Sequence, residues 1–184
     1  MKRMEKEMTM PTTIIVITAA GGIIAVETIF LLISAKRRLA ELDENTGKAM
    51  LQIGEQLSAG FEMLIALLET TKEYAGQKII TLIESIKTER CAITGKSTPK
   101  DIRHQGDIIT KTLGILELVS GAYPELKTNE NYIKQLAAVE TFENMLRSSR
   151  QIYNNSVAKL NDEIHRFPFS IVAATLQFSE RNYI

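Results

Sequence analysis

Residues able to do chemistry are few in this chain and widely spaced. His104 and His165 are remote from each other, and neither sits in an HExxH pattern or at a His–carboxylate spacing that would ligate a metal. Cys91 is the single cysteine, so an intramolecular disulfide and a multi-cysteine zinc site are excluded. A cysteine nucleophile needs a positioned histidine, and none is recognisable around Arg90-Cys91-Ala92. Gly95-Lys96-Ser97 matches the end of a phosphate-binding loop. The glycine required upstream is replaced by Arg90, however, and no strand precedes the segment. Carboxylates fall at salt-bridge spacing, as on solvated helix faces. Asn129, Asn131, Asn144 and Asn154, with Tyr132 and Tyr153, read as helix caps and inter-helix hydrogen bonds. The expectation is a protein with no catalytic set, no metal, no cofactor and no small-molecule substrate.

The composition narrows the class further. The 184 residues suit one domain, with 22 basic and 22 acidic side chains. The balance persists from Lys36 onward, at 19 of each. Nucleic-acid binding depends on a basic excess that releases counterions, so no nucleic-acid partner is expected. Four prolines, no tryptophan and 6% aromatic residues argue against a turn-rich β-sandwich or barrel. The expected class is all-α.

Residues 1–11 form a short N-terminal segment, and residues 12–35 a membrane-spanning helix. No charge occurs from Met8 to Val26, and after Glu27 the apolar run resumes to Ala35. At about 1.5 Å per residue, 24 helical residues cross a hydrocarbon core of about 30 Å with some tilt. Pro11 is placed at the first turn, and Lys36-Arg37-Arg38 follows the span. A cleaved signal peptide is the competing reading. The run is too long for one, Glu5 and Glu7 dilute its basic start, and no cleavage-like motif follows. Lys2, Arg3 and Lys6 precede the span and three basic residues follow it, so orientation is nearly balanced. A short outside N-terminus and a cytoplasmic body are preferred. Within the span, Thr18, Gly21, Gly22, Ala25 and Thr28 make a stripe of small residues, which membrane helices use to approach one another. Such residues are also common in membrane helices generally. Glu27 lies about 180° from Thr18 and is costly in hydrocarbon. Either the core ends at Val26 and Glu27 meets the headgroups, or each helix has neighbours on two faces, as in a higher oligomer.

Residues 36–168 read as a bundle of long helices. Met50, Ile53, Leu57, Phe61, Leu64, Leu68, Ala75, Ile79, Leu82 and Ile86 keep a heptad-like period, interrupted around Thr71. Glycines at 47, 54, 60 and 76 are possible kinks, and residues 43–47 are the expected bend. After a loop at 95–100, a short helix from about Ile102 to Ser120 buries Ile108, Ile109, Leu113, Leu116 and Val119. The last long helix opens near Asn129, with Thr128 or Asn129 as cap, and closes near Arg166 before Pro168. One seam column is Val139, Leu146, Tyr153, Leu160 and Phe167. The other is Leu136, Glu143, Arg150, Val157 and Ile164, with Glu143 and Arg150 at apolar positions. They can pair with each other or with Arg147, or the seam can rotate and leave both half-exposed. Residues 169–184 are an apolar tail, too short to span a bilayer. The tail packs on its own bundle or a neighbouring copy in preference to the membrane interface.

The run Ala122-Tyr123-Pro124-Glu125-Leu126-Lys127-Thr128-Asn129-Glu130-Asn131-Tyr132 resembles the LemA family of bacterial membrane proteins. Glu140-Thr141, Glu143-Asn144, Arg150, Tyr153-Asn154, Val157, Asn161 and Phe167-Pro168 extend the likeness, which continues weakly upstream through residues 67–75 and the apolar helix. The chain departs from the family where it reads Ser58 to Ile65 in place of an aspartate-leucine-isoleucine-proline run, and where Met50 replaces a tryptophan. The resemblance implies a single membrane anchor, a short outside N-terminus, a cytoplasmic antiparallel up-down bundle and no enzyme activity. Two functions then compete. One is a self-assembling structural protein that scaffolds or shapes the lipid bilayer as a higher homo-oligomer. The other is an anchored adaptor presenting its bundle to a membrane or cytoplasmic partner, such as a membrane protease or signalling protein.

Overall fold

The computed structural model describes the backbone from residue 2 to 184 and the side chains of residue 16 and residues 18–184. The side chains of Lys2, Arg3, Lys6 and Pro11 lie outside the described set. The fold is all-α: α1 (Lys2–Glu89), α2 (Pro99–Ala122), a 3-10 turn (Pro124–Thr128), α3 (Glu130–His165) and α4 (Phe169–Leu176). α1 opens at Lys2, ahead of Pro11, the residue expected in its first turn. A proline inside a helix forfeits one N–H bond, and membrane helices tolerate it. Two compact units result. One comprises Met1–Glu41 and Asn161–Ser179, the other Leu42–Leu160 and Glu180–Ile184.

The second unit is an antiparallel bundle. The helix passes through residues 43–47 without the expected bend, because the buried positions Leu42, Thr46, Ala49, Met50 and Ile53 keep the helical period across it. The break is instead at Gly76 (φ 47°, ψ −117°), a conformation open to glycine and little else. In a straight helix, residues 62 and 90 would stand about 42 Å apart. Yet Arg90 Nη1 is 2.7 Å from Glu62 Oε1, so the chain reverses at Gly76 and residues 77–89 return along the first arm. The path continues past Glu89, where Ile93 lies against Gly54 so closely that a Cβ there would be 2.8 Å from Ile93 Cβ.

α2 starts at Pro99, three residues earlier than expected, because its N-terminus is capped twice. The Thr98 N–H donates to Asp101 Oδ2 at 2.7 Å, and the Thr98 hydroxyl accepts from the Asp101 N–H at 3.4 Å. Gln105, fully buried, ties α2 to the end of α1: its Nε2 donates to the Glu89 carbonyl (3.3 Å) and its Oε1 accepts from the Cys91 N–H (3.0 Å). α3 returns antiparallel to the first arm of α1. Thr70 donates to Gln135 Oε1 at 2.8 Å near one end, while Gly60 faces the Phe142 ring further along. The core between these helices includes Leu57, Phe61, Leu64, Leu68, Ile79, Ile86, Ile102, Phe142, Tyr153 and Val157. Ala75, Leu82, Leu113 and Val119, expected inside, are half-buried at its margin.

On α3 the buried positions are Tyr132, Val139, Phe142, Leu146, Ser149, Tyr153, Val157, Leu160 and Ile164. The expected column through Glu143 and Arg150 is therefore displaced by one residue: Phe142 and Ser149 face inward, Glu143 is exposed and Arg150 half-buried. Leu136 is likewise half-buried. Phe167 falls beyond the end of α3 at His165, leaves the helical period and is 78% exposed.

In the first unit, Ala35 and Leu39 of α1 are buried, as are Ile164 of α3 and Val172 and Ala173 of α4. The tail expected at 169–184 is thus not one element. Residues 169–176 form α4 in the first unit, while residues 180–184 belong to the bundle.

Candidate functional site

Three places concentrate residues of interest. The first is the apolar part of α1, the one helix among the described residues long and apolar enough to cross a membrane, near the N-terminus. Its large side chains face outward: Ile23, Ile24, Val26, Ile29, Phe30 and Leu31 are all more than half exposed. A Cβ added at Gly21 or Gly22 would meet nothing within 4 Å, and Ala25, Glu27 and Thr28 are exposed. Thr28 folds its hydroxyl back onto the Ile24 carbonyl at 2.7 Å, as polar residues do in apolar helices. Thr18 is exposed as well. A contiguous apolar surface of this kind needs lipid or another chain to cover it.

The second is the corner between α2 and α3, built by the residues of the Ala122–Tyr132 run. Ala122 ends α2, and the Tyr123 N–H closes it on the Val119 carbonyl at 2.9 Å. Pro124 cannot extend the α-helix and starts one 3-10 turn, from which Leu126 points inward fully buried. Asn129 then caps α3, its Oδ1 accepting from the N–H groups of Asn131 (3.0 Å) and Tyr132 (3.1 Å). Glu130, at the first position of α3, complements the helix dipole. Tyr132 is buried, and Tyr123 stacks obliquely on Tyr74 with ring centroids 6.3 Å apart. This run builds a reversal. Phe167 and Pro168 make the corresponding break between α3 and α4.

The third is the outer half of α3. Tyr153 and Asn154 clasp the last residues of the chain. The Tyr153 hydroxyl donates to the Asn182 carbonyl at 3.0 Å. The Asn154 amide pairs with both backbone groups of Ile184, donating to its carbonyl (3.1 Å) and accepting from its N–H (3.0 Å). Arg181 fixes the same segment by two bonds to Asp43 Oδ1, at 2.7 and 3.1 Å. Burial pushes the Tyr153 phenol above its ordinary range, with the nearby Arg181 charge opposing, so it remains a donor at neutral pH.

One turn earlier, α3 and α2 enclose a cleft of about 310 Å³. Its floor is Ile109, Phe142 and Leu146, and its walls carry Arg103, Asp107, Glu143, Arg147 and Arg150. The expected pairing of Glu143 with Arg147 or Arg150 does not form: among the described residues these three side chains make no ion pair. The one-residue displacement of the seam explains this, since Glu143 and Arg147 point to solvent while Arg150 turns toward α2. Burial lowers the Arg150 pKa from its ordinary value, although a guanidinium stays charged at neutral pH. Arg103, Gly106 and Asp107 were invisible as site residues in the sequence. They sit more than 35 residues from their α3 counterparts and carry no motif. Among the described residues, no three His, Cys, Asp or Glu side chains are grouped to hold a metal ion. Cys91 is exposed.

No curated protein sequence matches the chain. The sequence model of the LemA family matches residues 49–184, which takes in the whole interhelical corner, the Tyr153-Asn154 clasp and the segment it holds. That match covers well over half of the sequence, and the chain belongs to the LemA family.

Proposed function

We propose that this protein is a non-enzymatic, membrane-anchored structural protein. Its apolar helix spans the bilayer as a single pass, with the bundle on the cytoplasmic side. Copies self-assemble through that helix and the long bundle helices into a higher homo-oligomer that scaffolds or shapes membrane. The observation that carries this reading is the outward-facing apolar stretch of α1, whose glycines 21 and 22 meet nothing in their own chain. Close helix–helix approach in a bilayer relies on such open small residues, because lipid offers no hydrophobic drive between helices. Glu27 on the opposite face adds a second demand, for a headgroup or a neighbouring helix.

The test is the oligomer size of the full chain after gentle extraction, compared with Gly22→Leu and Glu27→Leu. Self-assembly predicts that the substitutions change particle mass while helical content and melting of the bundle stay as in the parent. Native size distributions in both variants would remove intramembrane packing from the proposal. A single copy that co-purifies with a distinct membrane protein would favour the adaptor role instead.

A further inference from the structure

The cleft between α2 and α3 holds a guanidinium that its own chain leaves unsatisfied. Arg150 Nε is buried without a hydrogen-bond partner. Arg150 Nη2 approaches α2 so closely that a Cβ at position 106 would lie 3.0 Å from it, so Gly106 is what admits the side chain here. Arg103 from α2 and Arg147 from α3 open onto the same space. Among the described residues, none of the three arginine side chains has a hydrogen bond or an ion pair, although Asp107 and Glu143 line the same walls. Buried donors are nearly always satisfied in folded proteins, by protein, by water or by a ligand, and an orphan on a charged group is the costliest kind. The orphan is Arg150 Nε alone, since Arg103 and Arg147 are exposed at the rim, and a buried charged donor in a cleft that two further guanidiniums line points to an acceptor from outside the chain.

We propose that this cleft binds a small phosphorylated molecule. Its phosphate is held by Arg150, Arg103 and Arg147, and its hydroxyl or amino groups are met by Asp107 and Glu143. Phosphate suits the three arginines because it offers several acceptor oxygens at once, and guanidinium forks match them in pairs. The two carboxylates repel a polyanion and favour a compact ligand that carries hydrogen-bond donors besides its charge. The size of the cleft agrees, as about 310 Å³ takes a small metabolite rather than a polymer. A soluble source is favoured over a lipid headgroup, since every lining residue lies in the 42–160 bundle and none in the unit that carries the apolar stretch. This site is independent of the self-assembly proposal.

The test uses the full chain in nanodiscs of phosphatidylcholine, titrated with glycerol 3-phosphate by calorimetry. Inorganic phosphate is the second probe and glycerol the uncharged control. The expected result is saturable binding of glycerol 3-phosphate, weaker binding of inorganic phosphate and none of glycerol. Arg150→Gln should weaken binding by about ten- to a hundredfold, as expected for a lost charge-assisted contact. Because Arg150 is half-buried, Arg147→Gln provides the check that cannot be blamed on folding: exposed at the rim, it should weaken binding severalfold with an unchanged melting temperature. Absence of saturable binding by both phosphates overturns the proposal, as does equal affinity in the parent and both variants. A response confined to nanodiscs containing phosphatidylglycerol, with none to the soluble phosphates, overturns it in favour of a lipid headgroup.

Discussion

Gln105 and Asn154 do the same job at two places in the bundle: each side-chain amide stands in for a backbone partner. Gln105 satisfies the Glu89 carbonyl and the Cys91 N–H where α1 stops, and it is fully buried. Gln105→Leu should leave both groups without a partner and cost roughly 1–3 kcal/mol, read as a lower denaturant midpoint with an unchanged slope. Asn154 makes two bonds to Ile184, as a neighbouring strand would. Asn154→Ala should speed amide exchange across residues 180–184 by about tenfold or more, for a loss of roughly 1–3 kcal/mol. Unchanged exchange there would show that Tyr153 and the Arg181–Asp43 pair hold the segment without Asn154. The sequence flags Tyr153-Asn154, but its partners lie 29 and 30 residues further on, beyond an intervening helix, and no local pattern discloses them.

Among the elements, α3 shows how far periodicity carries. Its buried positions from Phe142 step 4, 3, 4, 4, 3, 4 to Ile164, so two four-residue steps adjoin at Tyr153. An α-helix has 3.6 residues per turn, and a strict seven-residue count drifts against it. Counting back by sevens from Ile164 gives Val157, Arg150 and Glu143, whereas the longer step gives Ser149 and Phe142. The long helices, the Asn129 cap and one seam column as far as Leu160 are therefore legible in the sequence, whereas the Thr98 cap, α4 and the cleft are not, the cleft because it exists only once Arg150 is displaced from the seam toward Gly106 of another helix. The α1 reversal is legible only in part, since Gly76 was one of four candidate glycines and only its backbone conformation singles it out. Gly60 is a different constraint: its missing side chain is the space occupied by the Phe142 ring. Gly60→Ala should destabilise the bundle by about 1–3 kcal/mol through overpacking, and Phe142→Leu in the same chain should recover part of it. At the head of α2, bonds from the Thr98 N–H and hydroxyl hold the Asp101 carboxyl below its ordinary value of 3.8. A folded-state pKa below the unfolded one gives stability that is present above the unfolded value and lost as pH falls through the folded one. Acid titration should therefore weaken α2 below about pH 4. Thr98→Ala should reduce that acid-sensitive part and cost about 1 kcal/mol at neutral pH through the lost cap.

For the whole molecule, the LemA-family bundle buries an apolar core of its own, whereas the apolar stretch of α1 stays exposed. Under the self-assembly proposal, that contrast predicts that substitutions in the apolar helix alter assembly, while those at Gly60, Gln105 and Asn154 alter bundle stability. The two sets of substitutions should accordingly separate, one changing particle mass and the other changing melting temperature. The most direct measurement is the mass of lipid-embedded particles of the full chain, by light scattering with negative-stain electron microscopy, for the parent and for Gly22→Leu and Glu27→Leu. Self-assembly predicts large multi-copy particles from the parent and a different mass from each variant. Single-copy particles from the parent, at every concentration tried, would contradict it.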